Sequence, residues 1–79
     1  MILPQIGEIW VESLSHRTLE RNNLDPNADT DMRFLVLSEG LDRGKGMYTY
    51  LIHNFEIDQV EEIELFLSGS DAYEYKRIA

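Results

Sequence analysis

The feature that most constrains this chain is an apolar pattern with a period of two. In residues 47–53, Tyr48, Tyr50 and Ile52 alternate with Met47, Thr49 and Leu51, and the run Tyr73-Glu74-Tyr75-Lys76-Arg77-Ile78 alternates in the same way. Successive side chains of an extended strand point to opposite faces, so such rows specify strands rather than helices. Three further segments read as strands. Gly7-Glu8-Ile9-Trp10-Val11-Glu12 sets Ile9 and Val11 against Trp10. Arg33-Phe34-Leu35-Val36-Leu37-Ser38 is a continuous apolar run expected to be buried on both faces, and Ile63-Glu64-Leu65-Phe66-Leu67 follows a stretch, Asp58-Gln59-Val60-Glu61, with the spacing of a helix capping box.

The connections are as telling as the strands. Residues 13–31 are polar, with Asn22-Asn23, Asp25-Pro26 and Asn27 supplying turn chemistry, and they form one long connection with room for a short helical turn near Thr18 to Arg21. Gly40, Gly44 and Gly46 around Asp42-Arg43 and Lys45 suit a hairpin tip, and Ser68-Gly69-Ser70-Asp71 suits a tight turn. The expected fold is therefore all-β, a single domain over residues 1–79 with five short strands, a long first loop and one short helical turn. That order resembles the SH3-like small β-barrel, whose closure would protect most strand edges.

Composition narrows the function. With 79 residues, one core is affordable and a deep cleft is not. No cysteine means no disulfide framework and no thiolate zinc site. The formal net charge of −8 disfavours binding to phosphate backbones, and neither a membrane-spanning run nor a signal sequence is evident, so a cytoplasmic protein is expected.

Gly7-Glu8-Ile9-Trp10-Val11 followed by Arg33-Phe34-Leu35-Val36-Leu37-Ser38 also resembles the opening of PemK/MazF-like toxins, which are ribonucleases on an SH3-like barrel. Gly7, Trp10, Arg33 and Ser38 align with that pattern, and Phe34 stands where the family has proline. The resemblance implies a shortened ribonuclease using Arg17, Arg21 or Arg33 near Ser38.

Other constellations have plainer readings. Asp25, Asn27, Asp29 and Asp31 have the alternate spacing of a calcium loop, but Thr30 and Val36 occupy the positions that need glycine and a bidentate acid, so a solvated acidic loop is expected. The segment from Gly40 to Gly46 is one residue short of a phosphate loop and lacks the hydroxyl residue after its lysine. His16 and His53 are too distant in sequence for a local metal pair, and Ser13, Ser15 and His16 form a catalytic set only if they converge.

What remains is a non-enzymatic, acidic protein-binding module with no catalytic residues, metal or cofactor, docking on and modulating a larger protein with a basic surface. Trp10, Tyr48, Tyr50, Phe66, Tyr73 and Tyr75 are the rings from which an exposed groove could be built; of these Tyr48, Tyr50, Tyr73 and Tyr75, placed on neighbouring strands, are the expected aromatic anchors, and Glu56, Asp58, Glu61, Glu62 and Glu64 the steering charge. Size and charge also suit a phage or mobile-element accessory inhibitor, with an acidic DNA mimic as the third alternative. Direct nucleic-acid or membrane binding is not expected. The oligomeric state is left open.

Overall fold

A computed structural model describes residues 2–67 and 72–79. The tight turn expected at 68–71 lies outside the described residues. Six strands and one helix run in the order β1 (Ile9–Leu14), α1 (His16–Arg21), β2 (Met32–Val36), β3 (Leu41–Gly44), β4 (Met47–Asn54), β5 (Gln59–Phe66) and β6 (Tyr73–Arg77). All strand pairs are antiparallel. The all-β class is thus as expected, and so is a short helical element in the long first connection.

β4 organises the sheet. One of its edges pairs with β5 along its whole length, from Met47 opposite Phe66 to Asn54 opposite Gln59. Its other edge is divided, with β3 beside Met47–Thr49 and β2 beside Ile52–Asn54. The corner between β2 and β3 is bridged at Leu51, whose carbonyl accepts from the Leu37 N–H at 2.9 Å and whose N–H donates to Ser38 Oγ at 2.9 Å. A side chain there replaces a strand partner, and the chain bends without leaving Leu51 unpaired. β1 then pairs with β2 and with β6.

Two expectations are corrected by this topology. There are six strands rather than five, because Leu41–Gly44 forms its own strand and the hairpin tip shrinks to Gly44, Lys45 and Gly46, all at positive φ. The sheet is also not closed into a barrel, since β5 pairs only with β4 and β6 only with β1. Among the described residues, β5 and β6 form no backbone ladder and are joined by a side-chain bond from the Phe66 N–H to the Tyr75 hydroxyl at 3.1 Å.

The inner face of the bent sheet holds Trp10, Phe34, Val36, Tyr50, Ile52 and Leu65. Directly opposite residues of antiparallel strands share a face, so the registers Tyr48–Leu65 and Tyr50–Ile63 carry β5's apolar row inward and turn Glu62 and Glu64 outward. β2 alternates as well. Phe34 and Val36 are buried, Leu35 is half-buried and Arg33 and Leu37 are exposed, so this strand is not covered on both faces as expected. The stretch 58–61 forms no helix: Asp58 takes a positive φ in the β4–β5 turn, and Gln59–Glu61 already belong to β5. The buried Asn54 holds that turn by accepting from the Glu56 N–H at 2.9 Å and donating to Glu61 Oε1 at 3.0 Å.

Tyr50 is 1% exposed, and its hydroxyl has no hydrogen-bond partner among the described residues. Gly40 lies directly on its ring, where a Cβ would stand 2.5 Å from the ring carbon and the hydroxyl. Gly40→Ala is therefore expected to destabilise the fold by about 1–3 kcal/mol through overpacking. Tyr50→Phe removes an unpaired buried hydroxyl and is expected to be neutral or to stabilise by about 1 kcal/mol. Urea unfolding of both variants measures this, and a Tyr50→Phe loss comparable to that of Gly40→Ala would contradict it.

Candidate functional site

The gap between the β5 and β6 edges forms a groove of about 640 Å³ lined by Trp10, Phe66, Leu67, Tyr73, Tyr75, Lys76, Arg77 and Ile2. β6 supplies most of one wall. Its register against β1 places Tyr73, Tyr75 and Arg77 on the inner face, opposite Leu14, Glu12 and Trp10. Phe66, the last residue of β5, stacks on Tyr73 with ring centroids 6.4 Å apart and an interplanar angle of 13°. Tyr73 lies 6.5 Å from Tyr75 in turn. Phe66 and Tyr73 are 38% and 37% exposed, so aromatic surface faces solvent.

The floor is held by charge. Glu8 Oε1 accepts from the Gln5 N–H at 2.8 Å and from the Trp10 indole at 3.0 Å, while Glu8 Oε2 pairs with Arg77 at 3.1 Å. Those donors, the Gln5 amide foremost, hold the Glu8 carboxyl below its ordinary pKa. One carboxylate thereby fixes the indole under the groove and the guanidinium at its rim.

A second polar contact lies deeper. The Tyr75 hydroxyl accepts from the Phe66 N–H, and Tyr75 stands opposite the half-buried Glu12 in the β1–β6 register. Burial raises the Glu12 carboxyl above its ordinary pKa, against the smaller lowering by Tyr75. Burial likewise pushes the Tyr75 phenol far up. Three strands, β1, β5 and β6, meet at this one side chain.

The four expected tyrosines are not one exposed face. β4 and β6 are separated in the sheet by β2 and β1, so the expected adjacency is corrected. Tyr50 is interior, and burial raises its phenol pKa, with Tyr48 and Glu8 adding smaller effects. Tyr48 is half-buried against the core, and only Tyr73 and Tyr75 line the groove. The larger side chains form the inner row because the acids of β5 claim the outer face. Reading β4 together with its partner row, Ile63 and Leu65 against Glu62 and Glu64, carries that signal. Trp10 and Phe66, candidate groove rings in the sequence but not chosen as anchors, do line the groove, and Lys76 and Arg77 were not expected there, since this convergence depends on where the sheet stops.

The acidic series is also divided. Glu56 pairs with Arg33 at 3.2 Å, Asp58 with His53 Nε2 at 2.8 Å, and Glu61 with Asn54, leaving Glu62 and Glu64 exposed on the outer face. Ser15 is buried as the N-cap of α1, accepting from the Thr18 N–H at 3.2 Å, while His16 is exposed. Asp25 and Asp29 accept from the amides of Asn27 and Asp31, and among the described residues no three His, Cys, Asp or Glu side chains gather to hold a metal ion. Arg33 is the second residue of β2 and Ser38 sits beyond its end at the β2–β3 corner. No helix among the described residues is long and apolar enough to cross a membrane.

Comparison with protein-family models, with curated proteins and with solved structures gives no match.

Glu12 makes the closure at Tyr75 sensitive to pH. Its pKa is raised by folding, so its contribution to stability is full below the ordinary carboxylate range and is lost as pH rises through the raised value. Glu12→Gln keeps a side-chain oxygen opposite Tyr75 and removes the charge. The urea midpoint of the variant is expected to gain on that of the parent as pH rises from below the ordinary carboxylate range through the raised Glu12 pKa. An offset independent of pH would contradict this.

Proposed function

We propose that this chain is a non-enzymatic protein-docking module whose contact surface is the aromatic groove between β5 and β6. The observation that carries the reading is the stacked pair Phe66 and Tyr73, solvent-exposed beside Tyr75 and above the fixed Trp10 indole. Rigid aromatic surface beside unpaired strand edges suits an extended peptide, which adds main-chain hydrogen bonds to side-chain anchoring. Net charge of −8, with Glu62 and Glu64 exposed on β5, favours encounter with a basic partner segment. In this reading the chain works in the cytoplasm as a regulatory protein that modulates a larger partner, in the manner of an accessory inhibitor carried by a phage or mobile element.

Selection of a displayed library of extended peptides against the chain tests the proposal. Retained peptides are expected to be basic and to shift the amide signals of β6 and Phe66 and the Trp10 indole signal. Tyr73→Ala, on an exposed ring, is expected to weaken binding about tenfold or more without unfolding the chain. Shifts confined to another face would overturn the groove. Cleavage of a mixed RNA by the purified chain, abolished by Arg33→Ala, would instead support the ribonuclease alternative.

A further inference from the structure

The open sheet has three edge strands, β3, β5 and β6, and the two that border the groove, β5 and β6, differ in charge pattern. β5 carries Glu61, Glu62 and Glu64 and no base, so pairing with a second β5 brings acids together. β6 reads Tyr73-Glu74-Tyr75-Lys76-Arg77 and is mostly exposed. On its inner edge, the Ser15 N–H donates to the Ala72 carbonyl at 3.0 Å and the Ile78 N–H to the Ile9 carbonyl at 2.8 Å. In the antiparallel alternation those bonds turn the amides of Glu74 and Lys76 toward β1, and the amides of Tyr73, Tyr75 and Arg77 toward the free edge.

We propose that β6 pairs antiparallel with β6 of a second copy of this chain, about a twofold axis through Tyr75. In that register Tyr75 exchanges main-chain hydrogen bonds with Tyr75 of the second copy. Glu74 stands opposite Lys76, and Tyr73 opposite Arg77, each pairing occurring twice. The first is an opposite-charge cross-strand pair on the outer face, and the second sets a guanidinium beside an aromatic ring on the inner face. The neighbouring twofold registers, centred on Glu74 or on Lys76, place like charges opposite each other. The strand therefore specifies one self-pairing and disfavours its neighbours. A twofold pairing of this kind is closed, whereas pairing β5 of one copy with β6 of the next grows without limit. The interface goes beyond the docking reading and does not depend on it: it uses the free edge of β6 that borders the groove, so self-pairing and main-chain pairing of a peptide along β6 exclude one another.

Sedimentation equilibrium over a range of concentrations tests this, using the full chain, Glu74→Lys, and the exchange Glu74→Lys with Lys76→Glu. The parent is expected to form a species of twice the 9.2 kDa chain mass and nothing larger. Glu74→Lys should raise the dimer dissociation constant about tenfold or more, although it lowers the net negative charge, and the double exchange should restore it. Circular dichroism confirms that both variants remain folded, and rescue by the double exchange separates charge pairing from any loss of fold. A chain that stays monomeric while a basic peptide shifts the β6 amides assigns the edge to a different protein and overturns the proposal. A dimer indifferent to the Glu74 and Lys76 exchange, or mass that keeps increasing with concentration, also overturns it.

Discussion

The bend of one edge of β4 over Tyr50 is the constraint on which the rest of the structure depends. A strand paired with one partner along its length and with two along the other edge requires those two to diverge, and they diverge at Leu37–Gly40. The divergence is possible because Ser38 Oγ supplies the acceptor that a continuing strand would have supplied, and because Gly40 has no Cβ to strike the Tyr50 ring. With the corner in place, β2 and β3 wrap the aromatic row of β4, and Tyr50, Phe34 and Ile52 become the centre of the core. The unpaired Tyr50 hydroxyl is the cost of using a tyrosine where only its ring is enclosed by packing.

Much of this was legible in the sequence, and the reasons are local. Period-two rows located the strands, the glycines located the β3–β4 turn, and the polar run after β1 contained α1, capped by Ser15. What was not legible is what depends on pairing. The row Tyr48, Tyr50, Ile52 and the row Met47, Thr49, Leu51 are both largely apolar, so β4 alone does not say which faces inward. Only the register with Ile63 and Leu65 decides it. The capping-box spacing at 58–61 failed because the β4–β5 register claims Gln59 through Glu61, and local propensity yields to a full-length ladder. The site was half legible: Tyr73 and Tyr75 were expected, whereas Phe66 and Arg77 reach the groove only because β5 ends beside β6.

The acidic segment illustrates how tertiary structure divides a charge run. Five carboxylates in sequence suggest one field, yet Arg33, His53 and Asn54 each engage one of them at the β4–β5 turn. These contacts hold a turn rather than recruit a partner, and exposed pairs of this kind add little stability individually. The two acids left exposed, Glu62 and Glu64, lie on the outer row of β5, the row that ends in Phe66 at the groove. Attraction and anchoring thus meet at the end of β5: the long-range charge of Glu62 and Glu64 raises encounter with basic surfaces, and short-range aromatic contact at Phe66 and beyond selects what remains bound.

The gap between β5 and β6 follows from the same economy of chain. Closing the sheet would require a ladder between these strands, and the Tyr75 side chain, opposite Glu12 on β1, holds their separation by accepting from Phe66. A tyrosine spans more distance than a backbone hydrogen bond, so the strands it joins stand too far apart to pair, and the space between them becomes the groove. Full closure would have removed the two edges that border the groove and with them the surfaces there that can add a strand. Leaving the sheet open exposes the chain to unwanted pairing, which the carboxylates of β5 oppose by like charge and the alternating charges of β6 restrict by register. The groove and the guarded edges are therefore consequences of one choice, the replacement of a closing ladder by a single side chain.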